Sequence, residues 1–212
     1  EFLPQALGLT QMADFPSMVI VLVAAAFVVR SLDRGAFREA ALAGTLAGFA
    51  IGVKPANALF LAAPAVAYVL ARRWRAAVVF GLALMPALVA LAIWKARGLG
   101  SIPALTYPQT HLAAAIASPV AGIPLDVERY LPLDLDSWKQ NMSNLREFFW
   151  SARLVQWAPL AGTIALARRS VPVSGMLLAW LLAYVVVKGS SVQASIESGS
   201  FWRLVMPAFA AF

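Results

Sequence analysis

A polytopic, all-α transmembrane bundle is the fold class this sequence predicts, on three observations. Of its 212 residues 61% are hydrophobic and 13% charged, and the mean hydropathy is +0.77, more apolar than a water-soluble domain. Apolar runs of membrane-spanning length recur along the whole chain. None shows the alternation of a barrel strand, so each spanning element is read as a helix. The expected arrangement is one transmembrane domain over 1–212, with six complete spans, the start of a seventh and one long extracytoplasmic loop. The chain opens at Glu1 and stops at Phe212 inside an apolar run. It therefore reads as an internal piece of a longer protein.

The net charge of +7 raises nucleic acid as a partner, but its placement argues against that. Arg30, Arg34 and Arg38 fall together, as do Arg72, Arg73 and Arg75, and then Arg168 and Arg169. Each cluster abuts an apolar run, and successive clusters are separated by two runs. This is the positive-inside pattern, which assigns the three junctions to the cytoplasm. They carry eight basic residues and two acids, Asp33 and Glu39, against nine basic residues and eight acids elsewhere. The basic excess sets topology, and no nucleic acid partner is expected. Cysteine is absent, so neither a disulfide framework nor a thiolate metal site is available.

Residues 1–11 are mixed in character and suit an interfacial segment. Met12 to Pro16 lead into the first span, residues 17–29, with Pro16 expected in the first helical turn and Asp14 beside its free amides. The second span, 39–53, carries Gly44, Gly48 and Gly52 at every fourth position among alanines, a stripe that lets helix backbones approach closely. Lys54-Pro55 then forbids a continuous helix. The third span is 55–71. The fourth is 76–94, with Pro86 expected to kink it.

Residues 95–148 form the long outer loop, which holds the sole histidine, His111, and several acids. Its prolines preclude long helices over most of that length. Residues 136–149 suit a helix lying on the membrane surface, with Trp138, Phe148 and Phe149 at the interface. The fifth and sixth spans are 149–167 and 171–187. A seventh run, 204–212, follows Arg203.

Lys54 is the leading site candidate. Fifteen residues from Glu39 at about 1.5 Å each reach roughly 22 Å, short of the ~30 Å hydrocarbon core. The lysine then sits below the outer surface, where an ionisable group is a functional candidate by default. The plainer reading is a helix-end lysine snorkelling to headgroups. Asp14 shares that membrane face, either as an active-site carboxylate or as an N-cap. Arg203 suits bidentate phosphate recognition, or interfacial anchoring beside Trp202. His111 is either a metal ligand or a solvated loop residue. No phosphate-binding glycine loop, nucleophile elbow or HExxH motif is present.

Four stretches resemble the extracytoplasmic-facing GT-C membrane glycosyltransferases, the broad group that includes protein mannosyltransferases and lipid A aminoarabinose transferases. Thr10-Gln11-Met12-Ala13-Asp14-Phe15-Pro16 resembles that group's Thr-x-acid-x-Pro entry to a membrane helix, with two extra residues after the Thr. Residues 43–55 resemble its small-residue helix ending in a Lys-Pro turn, and Ala71-Arg72-Arg73-Trp74-Arg75 the basic loop that follows. Arg203-Leu204-Val205-Met206-Pro207 is similar to its late Arg-Tyr-Leu-x-Pro motif, without the tyrosine. The family's first outer loop, which holds its proposed base, would lie before Glu1.

The resemblance implies a multi-pass cell-membrane enzyme, in a bacterial plasma membrane with its site facing outward. Its reaction would be sugar transfer from a polyprenyl-phosphate donor to a glycan, lipid or protein acceptor. It implies Asp14 as an active-site carboxylate, Lys54 and Arg203 as contacts to the donor phosphate, and His111 as a position for a divalent metal. The competing class is a transporter or flippase, since broken helices and intramembrane charge serve those too.

Overall fold

Alanine and glycine decide how these helices meet. The computed structural model describes residues 10–99, 135–148 and 153–190, and all secondary structure among them is helical. In chain order the elements are α1 (Thr10–Arg34), α2 (Phe37–Val53), a 3₁₀ segment (Pro55–Leu61), α3 (Ala62–Leu70), α4 (Trp74–Leu99), α5 (Leu135–Phe148), α6 (Arg153–Arg169) and α7 (Val171–Gly189). Two stretches, Pro16–Arg34 and Trp74–Trp94, are long and apolar enough to cross a membrane, and Pro55–Leu70 and Val171–Val187 are shorter apolar ones.

Helix α2 is the centre, packed most extensively against α4 and then α1. Its buried face is Ala40, Ala43, Gly44, Ala47, Gly48, Ala50 and Ile51. A Cβ on Gly44 would collide with the Phe80 carbonyl oxygen, and one on Gly48 would lie 2.8 Å from Ala87 Cβ and 3.0 Å from Leu84 O. The α2–α4 contact therefore requires glycine at these two positions. Gly52, third in the same stripe, faces open space with nothing within 4 Å. Helix α7 packs on α3 and on the 3₁₀ segment. There the Phe60 and Trp180 rings meet edge to face, 4.9 Å between centroids.

Aromatic side chains such as Phe60, Tyr68 and Trp180 join these small residues in the core, while many aliphatic ones point the other way. Val78, Leu82, Met85, Val89 and Ile93 form an exposed stripe down α4, and Leu178, Leu182 and Val186 one down α7. Small residues fill the α2 interfaces while many leucines, isoleucines and valines on α4 and α7 face out.

Several boundaries differ from the sequence expectation. Helix α1 begins at Thr10, so Pro16 and Asp14 lie inside it rather than at its entrance. Pro16 accordingly leaves the Met12 carbonyl without its helical donor. The run after Lys54 opens as seven 3₁₀ residues before turning α-helical. At about 2.0 Å per 3₁₀ residue it reaches roughly 28 Å to Leu70, close to a hydrocarbon core's thickness. Helix α4 passes through Pro86 without a break and runs to Leu99, into the expected loop.

The arginine junctions are helix ends rather than loops. Gly35 and Ala36 alone separate α1 from α2. Gly35 takes φ +66° and donates to Ser31 O at 3.0 Å, a left-handed C-cap. Arg73 Nη2 donates to Leu32 O at 3.4 Å, and Ser31 Oγ pairs with Tyr68 Oη at 2.9 Å, tying the end of α1 to the end of α3. Gly175, near the start of α7, abuts Leu70 at the end of α3. All three arginine clusters thus lie at one end of the bundle.

Candidate functional site

The opposite end is built around the break at Lys54. Helix α2 ends because Lys54 adopts an extended backbone, φ −141° and ψ 105°, as the residue before a proline is pushed to do. The Lys54 N–H still bonds Ala50 O at 2.9 Å, and its carbonyl accepts the Asn57 N–H at 2.9 Å. The Asn57 side chain is buried, with 1% of its surface exposed. Its Nδ2 donates to the same Ala50 O at 2.9 Å, and its Oδ1 accepts from the Tyr184 hydroxyl at 3.4 Å. One carbonyl near the end of α2 thus receives two donors across the break, and Asn57 staples the break to α7. Lys54 is half-buried at this junction.

The polar arrangement continues past Tyr184. Asn141 Nδ2 of α5 donates to Gly189 O at 2.7 Å. Trp138 and Met142 flank Gly189, whose added Cβ would lie 3.2 Å and 3.0 Å from them. Trp138, expected at an interface, is half-buried here. Its indole packs against the end of α7, where Gly189 leaves room for it.

An apolar cleft of about 330 Å³ opens between α2 and α4, lined by Gly48, Phe49, Gly52, Ala87, Ala90, Leu91 and Trp94. Gly48 and Gly52 add no side chain to its α2 wall, and Gly52 stands two positions before Lys54 in sequence.

Of the residues nominated from sequence, Lys54 is at this junction and Asp14 is at the same end of the bundle, in the N-terminal part of α1, which touches the 3₁₀ segment. Arg203 and His111 lie outside the described residues. No group of three or more His, Asp or Glu residues that could hold a metal comes together among the described residues. Sequence reasoning missed Asn57 and Tyr184. The available signal was an amide inside an otherwise apolar run two residues after a helix-breaking Lys-Pro, since a buried amide there needs partners.

Neither the known protein families, nor the curated proteins, nor the solved structures supply a match to this chain.

Proposed function

We propose that the chain is part of a multi-pass membrane glycosyltransferase that moves a sugar from a polyprenyl-phosphate donor to an acceptor at the extracytoplasmic face. Three features support the membrane setting. Small residues pack the buried face of α2, apolar stripes face out on α4 and α7, and arginine clusters gather at one end of the bundle. Exposed apolar area on this scale needs an apolar surround. The six-span topology, with residues 95–148 largely outside, remains the working arrangement.

The observation that carries the catalytic reading is the half-buried Lys54, held at a stapled helix break beside an apolar cleft. An isoprenoid chain suits the cleft, and its phosphate would then meet the lysine at the cleft's end. In the proposed reaction an acceptor hydroxyl oxygen bonds to the anomeric carbon while the bond from that carbon to the phosphate oxygen breaks. The hydroxyl proton passes to a carboxylate base, and polyprenyl phosphate leaves with the bonding pair. Lys54 and Arg203 stabilise the charge growing on the phosphate. Asp14 serves as a carboxylate of the same site, and His111 is the position for a divalent metal.

Full-length protein in lipid bilayers, given polyprenyl-phosphate sugars and candidate acceptors, tests this. Sugar transfer is expected, reduced about 10²–10³-fold in Lys54→Ala and Arg203→Ala. Turnover at the wild-type rate in both variants would falsify the phosphate assignment. The helix break at Lys54 and the 3₁₀ segment after it favour a second reading, because broken helices also bind substrates in transporters. Movement of a labelled lipid or solute across the bilayer, without any transfer product, would select that one.

A further inference from the structure

At the arginine end of the bundle a cleft of about 410 Å³ is lined by Gly35, Phe37, Arg72, Arg73, Trp74, Arg75 and Ala76. Three arginines line one concavity, and neither nearby acid does. Glu39 is 3.8 Å from Arg34, and Asp33 is not among the lining residues. From sequence these arginines are topogenic charge, which needs no particular geometry.

The backbone at Arg72 points to something more specific. Helix α3 ends in a Schellman motif: Arg73 N donates to Tyr68 O at 2.9 Å and Arg72 N to Val69 O at 3.0 Å. Arg72 holds the left-handed position of that motif, at φ +53°, where glycine is the usual residue and a Cβ is strained. The facing turn fills its own left-handed position with Gly35. A charge needed only for topology could sit on either side of this residue at no conformational cost. An arginine kept at the strained position is best explained by what its side chain reaches.

The surroundings identify the ligand. Phe37 and Trp74 line the same cleft, 52% and 60% exposed, and a tryptophan so placed suits headgroup level. From Trp74 the exposed stripe Val78, Leu82, Met85 continues down α4 at helical spacing. An anionic head with apolar tails fits this sequence of surfaces, whereas a free anion would use only its first part.

We propose that this cleft binds the phosphate of an anionic phospholipid headgroup from the adjacent leaflet, with the acyl chains lying along α4. The proposal rests on the membrane setting argued above and is independent of sugar transfer. The arginines supply charge-assisted hydrogen bonds to the phosphate oxygens.

The test uses purified full-length protein in detergent, titrated with phosphatidylglycerol or phosphatidylcholine. Native mass spectrometry counts the retained lipids, and the unfolding midpoint is followed alongside. Phosphatidylglycerol should be retained about tenfold more tightly than phosphatidylcholine, with about a fivefold loss for each of Arg72→Gly and Arg75→Gln. Arg72→Gly should leave the unfolding midpoint in detergent alone unchanged or raised, which separates lost binding from lost fold. The double variant Arg168→Gln/Arg169→Gln, two charges fewer at the same end, should bind as wild type. The site is overturned by equal retention of the two lipids, by an equal loss in that double variant, or by full competition from millimolar inorganic phosphate. Sugar transfer measured in phosphatidylcholine should be unchanged in Arg72→Gly, so absence of transferase activity would leave this inference standing.

Discussion

The hydroxyl of Tyr184 donates to Oδ1 of Asn57 at 3.4 Å, joining α7 to a helix break 127 positions earlier. Both side chains are buried, at 0% and 1% exposure. The pair anchors the turn that carries Lys54 to a helix that does not adjoin it in sequence. If Lys54 handles a phosphate, this bond is part of what keeps it in place.

Breaking that pair should cost stability unequally. Tyr184→Phe removes one long hydrogen bond, worth about 0.6 kcal/mol between membrane helices. Asn57→Ala removes two and leaves a cavity, for a loss of about 2 kcal/mol. Unfolding in mixed micelles measures both. The double variant should lose less than the sum, and strict additivity would show that the two residues do not interact.

Glycines in one stripe should behave oppositely. Gly44→Ala forces α2 and α4 apart at the Phe80 carbonyl and should destabilise by about 2 kcal/mol or more. Gly52→Ala meets nothing within 4 Å and should be neutral or stabilising by up to about 1 kcal/mol. Thermal unfolding of the two variants side by side decides this. Equal effects would contradict the α2–α4 contact.

Lys54 should separate stability from activity. Its φ of −141° is open to any residue, so Lys54→Gln should shift unfolding by less than about 1 kcal/mol. Sugar transfer should nevertheless fall by the full effect proposed above, and Lys54→Arg should recover part of it. A variant that loses activity only in proportion to its folded fraction would assign Lys54 a structural role instead.

The absence of native cysteine makes topology directly measurable. Asp33→Cys and Ser170→Cys, at the arginine end, should react with an impermeant reagent only from the cytoplasmic side of sealed vesicles. Lys139→Cys on α5, at the Gly189 end, should react only from the other side. Labelling of all three from one side would remove the two-ended arrangement.

Much of the architecture was legible without coordinates. The wholly helical character of the described residues follows from apolar run length and from the backbone's need to satisfy its hydrogen bonds internally. The helix break at Lys54 follows from the steric demand of Pro55 on the residue before it. The segregation of arginines follows from their spacing between successive apolar runs. Each is a property of composition or of adjacent residues. The site was less legible: Lys54 stands out as a charge in an apolar run, whereas Asn57 and Tyr184 have no local signature of being partners.

Tertiary structure alone decided which glycines matter, because Gly44 and Gly52 are equivalent in the repeat and differ only in whether a neighbouring backbone arrives. It decided that Trp138 packs on Gly189, far along the chain, where the missing side chain leaves room for the indole. It also decided that Arg72 takes a left-handed cap opposite Gly35, so that Arg72, Arg73 and Arg75 line one cleft. Such contacts join residues dozens of positions apart, and their energy depends on shape at the meeting point, which no stretch of sequence carries by itself.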